Sequence, residues 1–233
     1  MASFSQRIPL RLVFLGAPGV GKGTYATKLA KTWRVPHIST GDMIREEIKA
    51  KSTLGTEFQS YSNAGKLVPD ALVIEIAKKR LSQHDCSSGW ILDGFPRTIQ
   101  QAEQLKTFAE PSLCINFFLP DSILVQKLSA RRVCVDCGAN YNIADIRNEI
   151  YDMPPLLPKP SDCDRCKGNP NLYQREDDSE EVVKKRLFVY KDETEHLIKF
   201  YSTQGILLNF SVKKGLNDLP EIERILGKHL NME

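Results

Sequence analysis

Several features that would narrow the function are missing from this chain of 233 residues. No apolar run approaches the length needed to cross a membrane, so we expect no membrane partner. The positive and negative charges nearly balance, at a net charge of +3, and charge alone therefore does not indicate a nucleic-acid partner. The segment Met1–Pro9 is too short for a complete signal or transit peptide. We expect a cytoplasmic protein, although the lack of acidic residues in that segment keeps a mitochondrial address open.

The hydrophobic pattern predicts an α/β fold. Hydrophobic residues make up 41% of the chain, which is ordinary for a globular protein with a sizeable core. Short, nearly continuous apolar runs alternate with helical patterns, as is typical of parallel strands that are buried on both faces. The predicted strands are Leu10–Leu15, Val35–Ile38, Gly89–Leu92, Leu113–Leu119 and Ile206–Phe210. The predicted helices are Thr24–Trp33, Asp42–Ala50, Leu54–Ala64, Asp70–Gln83, Ile99–Phe108, Ser122–Arg132, Glu180–Thr203 and Leu219–Leu230.

Two insertions interrupt this alternation. Between the second and third strands lie three helical patterns over Thr40–Gln83, where one crossover helix would suffice. Between the fourth and fifth strands lies a segment with four paired cysteines and a proline-rich stretch, Met153–Pro160, which we expect to be an extended surface loop. Both insertions leave from the carboxyl ends of strands, where ligands bind in open α/β sheets. We therefore expect two small mobile subdomains over this edge of the sheet.

The first predicted strand is followed by a glycine-rich loop, Gly16–Thr24, which contains Lys22 and opens a helix. This order of strand, loop, lysine and helix is typical of a phosphate-binding loop, in which backbone N–H groups and the helix start surround an anion. The loop departs from the general pattern because Gly23 follows the lysine and the hydroxyl comes one residue later, at Thr24. The loop predicts binding of a nucleoside triphosphate; the alternative is a tight turn without a ligand.

Polar residues at two further strand ends extend this prediction. Asp93 ends an apolar strand, where a carboxylate near a phosphate loop holds Mg²⁺ directly or through water. Arg97 follows shortly after it, at a place where a second phosphate group could approach. The segment Ser39–Arg45 starts a helix with a hydroxyl at its cap. Taken singly, Asp93 could cap the next turn and Ser39–Arg45 could be simple N-capping.

Four of the six cysteines form two C-x-x-C pairs, Cys134 with Cys137 and Cys163 with Cys166. Two such pairs are typical of a four-thiolate zinc site, although they are farther apart here than in common zinc ribbons. A closed site of this kind has no open coordination position, so that the metal would be structural. Disulfides and reduced thiols are the alternatives, and thiolates would imply a reducing compartment.

The chain resembles the adenylate kinases, a family of nucleoside monophosphate kinases. The resemblance is carried in order, from about Leu10 to about Leu230, by the motifs GAPGVGKGT, STGDMIR, GKLVPD, DGFPRT and RRVC…QREDD…VVKKRL. It implies a P-loop NTPase-type α/β fold with a five-stranded parallel sheet flanked by helices. It further implies a core of residues 1–38, 69–129 and 179–233, an inserted helical AMP-binding subdomain of residues 39–68, and a zinc-ribbon-like lid of residues 130–178.

The resemblance also implies an activity, namely reversible Mg²⁺-dependent phosphoryl transfer from a nucleoside triphosphate, expected to be ATP, to AMP. Arg45 and Arg97 would hold the AMP phosphate, Gln101 would read the adenine edge, and Asp93 would order the water bound to Mg²⁺. The donor phosphates would be bound by Gly16, Gly19, Gly21, Lys22, Gly23 and Thr24. The acceptor site would comprise Thr40, Arg45, Val68, Gly94, Arg97 and Gln101, and the transferring phosphoryl group would be closed in by Arg131, Arg175 and Arg186.

The residue types agree with this chemistry. The acceptor is itself an oxyanion, so the reaction needs positioning and charge neutralisation rather than a general base. One position departs from the family: where an arginine often covers the donor base, this chain has Lys127, which cannot stack as a planar guanidinium does. A GTP:AMP enzyme and a kinase with another acceptor, such as UMP or GMP, are therefore alternatives. A zinc-ribbon nucleic-acid module on a P-loop regulator is a further one, but the chain lacks a basic stripe. We expect a monomer with a structural Zn²⁺.

Overall fold

The computed structural model of the protein describes residues 9–160, 166–167 and 169–230. Ten strands occur in this part of the chain, five in a central sheet and five in the second insertion. They are β1 (Leu10–Gly16), β2 (His37–Ser39), β3 (Gly89–Asp93), β4 (Leu113–Phe118), β5 (Arg131–Cys134), β6 (Asn140–Asn142), β7 (Ile146–Arg147), β8 (Asp152–Met153), β9 (Leu172–Tyr173) and β10 (Leu207–Ser211).

The central sheet is parallel and has the strand order β10-β4-β1-β3-β2. Its middle strand shows why the apolar runs are continuous. Leu12 and Phe14 of β1 belong to the core on one face, whereas Val13 and Leu15 belong to the core on the other. The predicted parallel five-stranded sheet is confirmed, and each predicted run overlaps one of its strands.

Nine α-helices accompany the strands in the described residues. They are α1 (Lys22–Trp33), α2 (Thr40–Lys49), α3 (Thr53–Ala64), α4 (Asp70–Leu81), α5 (Ile99–Ala109), α6 (Asp121–Ser129), α7 (Glu180–Val189), α8 (His196–Thr203) and α9 (Leu219–His229). Residues of α1, α6 and α9 pack on one face of the central sheet, and residues of α4, α5 and α8 pack on the other. The helices therefore cover both faces, as an α/β fold requires. No helix in the described ranges combines the length and apolar character that a membrane crossing needs.

Two predicted helices differ from the structure. The helix predicted over Ser122–Arg132 ends at Ser129, because the residues from Arg131 onward pair with β6 and β9 in a second, antiparallel sheet. The helix predicted over Glu180–Thr203 contains a π-helical turn at Tyr190–Thr194, which separates α7 from α8 and buries Thr194. In both places tertiary contacts override a local helical pattern.

The first insertion is a helical hairpin of α2 and α3. The two helices approach closely at Gly55, where a Cβ atom would lie 2.1 Å from the carbonyl oxygen of Glu47. Gly65, just after α3, lies against Lys185 and Arg186 of α7. The hairpin therefore contacts the helix that follows the second insertion.

The second insertion contains the antiparallel sheet β6-β5-β9 and a separate hairpin, β7 with β8. The hairpin docks on the core: Met153 is buried against Gly215, and the Asp152 N–H donates to the Lys213 carbonyl at 2.9 Å. The stretch Met153–Pro160, predicted to be an extended surface loop, is thus a surface loop only in part, since its first residue is 2% exposed.

Candidate active site

One cavity of about 440 Å³ opens over the carboxyl ends of the central strands. It is lined by both insertions and by the core. The following residues, predicted from the phosphate loop and the family motifs, line it: Gly16, Gly19, Gly21, Lys22, Gly23, Thr24, Thr40, Arg45, Val68, Asp93, Gly94, Arg97, Gln101, Lys127, Arg131, Arg175 and Arg186. The structure therefore brings together groups that are up to 170 positions apart between Gly16 and Arg186.

The glycine-rich loop connects β1 to α1 and depends on its glycines at two positions. Gly16 has a φ of +134°, and a Cβ atom there would lie 2.4 Å from the carbonyl oxygen of Phe117. Gly19 has a φ of +86°, and a Cβ atom would lie 2.6 Å from the Leu128 side chain. Any side chain would therefore displace the loop from β4 and α6, and only glycine leaves the backbone in this path.

Lys22 is the first residue of α1, and its ammonium group turns back over the loop. Its Nζ donates to the carbonyl oxygens of Gly16 at 2.6 Å and Ala17 at 3.1 Å. Burial lowers the pKa of Lys22 to about 8; Asp93 opposes this change, whereas Arg97 and other nearby cations add to it. The loop thus holds an ammonium group whose protonation would gain from an additional anion in the cavity.

Asp93 ends β3 and lies beside the phosphate loop. A Cβ atom on Gly23 would lie 3.3 Å from its Oδ2. The missing side chain after Lys22 therefore leaves room for this carboxylate, which gives a physical reason for the departure from the general loop pattern. The side chain of Asp93 is 14% exposed, and its Oδ2 lies 4.0 Å from Nε2 of the His37 ring.

The start of α2 carries the next group of residues. Ser39 caps the helix by accepting from the Asp42 N–H at 3.2 Å, which confirms the predicted cap. Arg45, one turn later, forms an ion pair with Asp42. Burial acts to raise the pKa of Asp42, but the Arg45 guanidinium and the Ser39 hydroxyl more than offset it, and the net shift is downward. Thr40 is 1% exposed and lies against Gly94.

Arg97 and Gln101 are fixed by a buried network between α4 and α5. Arg97 Nε donates to the Gly94 carbonyl at 2.8 Å, and the Arg97 N–H donates to Gln101 Oε1 at 2.7 Å. Gln101 Nε2 donates to Asp70 Oδ1 at 2.7 Å, and the Thr98 hydroxyl donates to Asp70 Oδ2 at 2.6 Å. Burial lowers the pKa of Arg97, although Asp93 partly counters the effect.

The second insertion and α7 supply three more guanidinium groups. Arg131 forms a bidentate pair with Asp178, with Nε to Oδ2 at 2.8 Å and Nη2 to Oδ1 at 2.5 Å. Arg186 Nη1 donates to Asp177 Oδ2 at 2.9 Å. Arg175 Nη2 donates to Asn140 Oδ1 at 2.8 Å. These carboxylates and the amide hold the guanidinium planes in fixed orientations.

Crowding of cations makes this part of the cavity strongly electropositive. Burial lowers the pKa values of Arg175 and Arg186 to about 10, and neighbouring arginines add to the shift in both. The Nε of Arg175 is buried and has no hydrogen-bond partner among the described residues. The concentration of guanidinium groups around this cavity therefore suits the binding of an anion.

Lys127 lies in the last turn of α6 at the far side of the cavity. Its Nζ is 3.9 Å from the Met153 sulfur, and its backbone carbonyl accepts from Asn142 Nδ2 at 2.7 Å. Burial lowers the pKa of Lys127, while Asp218 opposes the shift. The ammonium group thus lies between α6 and the docked β7–β8 hairpin.

Three of the four predicted zinc ligands form one cluster. Cys134, Cys137 and Cys166 have their Sγ atoms within 4.8 Å of one another, and Cys134 and Cys166 are 3.2 Å apart. Burial acts to raise the pKa of Cys134, but the N–H groups of Cys137 and Asp136 and the neighbouring thiols give a net lowering. Cys163, the fourth predicted ligand, lies outside the described residues.

Four residues that the sequence analysis gave no role prove to hold the site together: Asp42, Asp70, Asp177 and Asp178. Each accepts from a predicted site residue or lies in contact with one. All four lie within the motifs that carry the family resemblance, so position in a motif could have indicated them. The partners of Asp70 could not be read from the motif, because they are residues near the start of α5, about thirty positions along the chain.

Comparison with known proteins agrees with this geometry. The family model for adenylate kinase matches residues 14–206. Adenylate kinase from Caldicellulosiruptor bescii is 44% identical over 229 residues, covering 96% of this chain and 100% of the relative. Adenylate kinase from Archaeoglobus fulgidus is 43% identical and covers 94% and 99%. The GTP:AMP phosphotransferase of Plasmodium falciparum is 38% identical and covers 96% and 99%.

Proposed function

The chain belongs to the adenylate kinase family, whose members transfer a phosphoryl group from a nucleoside triphosphate to AMP, and we propose that this enzyme uses ATP as the donor. The observation that carries the site assignment is the convergence of cationic groups on one cavity. Lys22 and five arginines, Arg45, Arg97, Arg131, Arg175 and Arg186, line it together. Two polyphosphate anions can approach each other only where their charges are neutralised in this way.

In this proposal the donor phosphates lie on the Gly16–Thr24 loop, with Lys22 on the terminal phosphates. Arg45 and Arg97 bind the AMP phosphate, while Thr40, Val68, Gly94 and Gln101 surround the adenine. Arg131, Arg175 and Arg186 stabilise the charge of the transferring group. Because the attacking atom is a phosphate oxygen, no side chain has to remove a proton, and the residues act by holding donor and acceptor in line.

Adenylate kinases use Mg²⁺ with the nucleotide, and Asp93 has the properties to hold it. Its carboxylate lies beside Gly23 and Lys22 at the end of a strand, and oxygen donors of this kind suit a hard divalent cation. Bound there, the ion would neutralise phosphate charge.

We propose a structural Zn²⁺ in the second insertion, bound by Cys134, Cys137, Cys163 and Cys166. The clustering of three sulfurs and the lowered pKa of the Cys134 thiol support this ligand set. The ion would hold together a small sheet with little apolar core of its own.

The division into a core (1–38, 69–129 and 179–233), an AMP-binding subdomain (39–68) and a lid (130–178) is part of the same proposal. It is supported by the α2–α3 hairpin and by the separate antiparallel sheet. We also propose that the enzyme is a cytoplasmic monomer. The family resemblance supports the monomer, and the free cysteines among the described residues agree with a reducing compartment.

GTP as donor is the second candidate, and two observations favour it. Lys127 stands where an arginine often covers the donor base, and the relative from Plasmodium falciparum is named a GTP:AMP phosphotransferase. The deciding experiment measures initial rates with Mg²⁺ for ATP, GTP, CTP and UTP against AMP, GMP, CMP and UMP. A kcat/KM for ATP with AMP well above that for GTP supports our proposal, whereas a faster GTP–AMP pair contradicts it.

Lys127→Arg is the matched variant for this test, because it restores the planar guanidinium without changing the charge. If GTP is the better donor of the wild-type enzyme, a shift toward ATP in Lys127→Arg would trace the preference to this side chain.

A further inference from the structure

Asp70 lies at the start of α4 and links it to α5, although it takes no part in the proposed chemistry. Its two carboxylate oxygens accept from different residues, Oδ1 from Gln101 Nε2 at 2.7 Å and Oδ2 from the Thr98 hydroxyl at 2.6 Å. Thr98 in turn caps α5 by accepting from the Gln101 N–H at 3.2 Å. Thr98 therefore holds the backbone N–H of Gln101, and Asp70 holds its side-chain amide.

These partners determine which end of the Gln101 amide is oxygen and which is nitrogen. A carboxylate can only accept, so the atom facing Asp70 must be the NH₂ group. A backbone N–H can only donate, so the atom facing the Arg97 N–H, at 2.7 Å, must be the oxygen. Rotating the amide by 180° would set donor against donor at Arg97 and acceptor against acceptor at Asp70. In a side chain that is 1% exposed, such mismatches are strongly unfavourable.

The fixed amide has one N–H and one oxygen lone pair left, and Gln101 lines the cavity. Adenine offers a donor, the 6-amino group, next to an acceptor, N1. Hypoxanthine and guanine offer the opposite order, with the acceptor O6 next to the donor N1–H. A freely rotating glutamine amide can pair with either edge, whereas an amide held in one orientation pairs with only one of them.

We propose that Asp70 is a positioning residue for acceptor-base selectivity: it holds the Gln101 amide in the orientation that pairs with a 6-aminopurine and disfavours a 6-oxopurine. This inference rests on the proposed role of Gln101 as the reader of the AMP base. A glutamine amide by itself does not distinguish the 6-amino edge from the 6-oxo edge. The inference explains how Gln101 can distinguish them here, because Asp70 holds its amide in one orientation.

The test compares AMP with IMP as phosphoryl acceptors, at saturating MgATP. IMP presents the 6-oxo edge without the 2-amino group of GMP, so that differences in size do not enter the comparison. In Asp70→Ala only the Arg97 N–H still orients the amide, and we expect the ratio of kcat/KM for AMP over IMP to fall by roughly tenfold, mainly through KM. Asp70→Asn keeps an acceptor oxygen within reach of Nε2 and should retain the wild-type ratio.

The variant Gln101→Ala distinguishes failure of this inference from failure of the proposed role of Gln101 as the reader of the AMP base. If the AMP:IMP ratio falls in Gln101→Ala but stays unchanged in Asp70→Ala, Gln101 reads the base and the inference about Asp70 is wrong. If the ratio stays unchanged in Gln101→Ala, the base is read by other residues. In that case the proposed role of Gln101 and the inference about Asp70 are both wrong. An Asp70→Asn ratio as low as that of Asp70→Ala would also contradict the inference, since the acceptor oxygen would then have no effect.

Asp70 is also the first residue of α4, and its replacement could weaken the helix. Circular dichroism and thermal unfolding therefore accompany the kinetics. Should Asp70→Ala fail to fold, Asp70→Ser serves in its place, because serine suits the first turn of a helix but is too short to reach Nε2. The same fall in the AMP:IMP ratio is expected for it, and an unchanged ratio overturns the inference.

Discussion

Lys22 is protonated less readily in the free enzyme than an exposed lysine would be. Burial and nearby arginines lower its pKa to about 8, so that near this pH part of the free enzyme lacks the charge that a phosphate would bind. A bound polyphosphate favours the charged form and raises the pKa. Donor affinity should therefore be constant below about pH 8 and fall as the pH rises above it.

Nucleotide binding at pH 8–8.5 should accordingly take up a proton. We expect a substantial fraction of one proton per MgATP at this pH, and little at pH 6.5, where Lys22 is already charged. Isothermal titration calorimetry in buffers of different ionisation enthalpy measures this number. Lys22→Arg stays charged throughout and is the control; equal uptake by this variant and the wild type would assign the proton to another group.

The residues of the site differ in how far the sequence could predict them. Spacing and family motifs predicted the residues that line the cavity, because their residue types reflect the chemistry of phosphate binding. The acidic residues that orient them were not predicted. A carboxylate such as Asp178, which is fully buried, looks the same in a sequence as a solvated surface charge.

Among the elements, the α2–α3 hairpin depends on the absence of a side chain at Gly55. A Cβ atom there would lie 2.1 Å from the Glu47 carbonyl oxygen, so Gly55→Ala must push the two helices apart. We expect a loss of about 1–3 kcal/mol in the free energy of unfolding. Because α2 also carries Arg45, the KM for AMP should rise more than the KM for the donor.

Gly227→Ala is the matched control for this variant. Gly227 lies in α9, and a Cβ atom there would meet nothing within 4 Å. Alanine should therefore stabilise the helix by about 0.5–1 kcal/mol without affecting either KM. Chemical denaturation and steady-state kinetics on both variants test the pair, and equal unfolding free energies would contradict the close approach at Gly55.

The small sheet of the second insertion should depend on the proposed zinc ion for its stability. Cys134→Ser removes one ligand from the cluster, and we expect it to lose bound zinc and to lower the Tm by on the order of 5 °C. Elemental analysis and thermal unfolding measure the two effects. Cys86→Ser, which replaces a cysteine distant from the cluster in the sequence, should keep the full zinc content; zinc-free protein in both variants and the wild type would refute the site.

Element boundaries followed the sequence where periodicity was undisturbed and departed from it where other parts of the chain intervened. The helix predicted over Asp70–Gln83 is two residues shorter than predicted, a difference of ordinary fraying. The predicted extension of α6 through Arg132 was wrong because β6 and β9 offer backbone partners to this segment. The sequence shows no signal of that pairing, since the partner strands are three and two residues long.

At the scale of the whole molecule, the β7–β8 hairpin connects the second insertion to the core over the proposed donor end of the cavity. Met153 of this hairpin is 2% exposed, packs against Gly215 and lies close to Lys127. Met153→Ala should weaken the docked arrangement and let water reach the cavity. We expect a higher KM for MgATP and a larger share of hydrolysis relative to transfer.

Rates of phosphate release in the absence and presence of AMP measure this share. Ile150→Ala provides the control, because Ile150 lies in the same hairpin but is 63% exposed. Its KM and hydrolysis rate should match those of the wild type. Identical behaviour of Met153→Ala would mean that the hairpin contact contributes nothing to closing the cavity.

The sequence by itself determined the alternation of strands and helices, the phosphate loop, the family and the residue types of the site. These are local patterns, and each can be read from neighbouring positions along the chain. Only the tertiary structure decided how the cavity is assembled: which acid holds which arginine, which way the Gln101 amide faces, and where the hairpin docks. Those contacts join residues from distant elements, and their geometry arises only when the whole chain is packed.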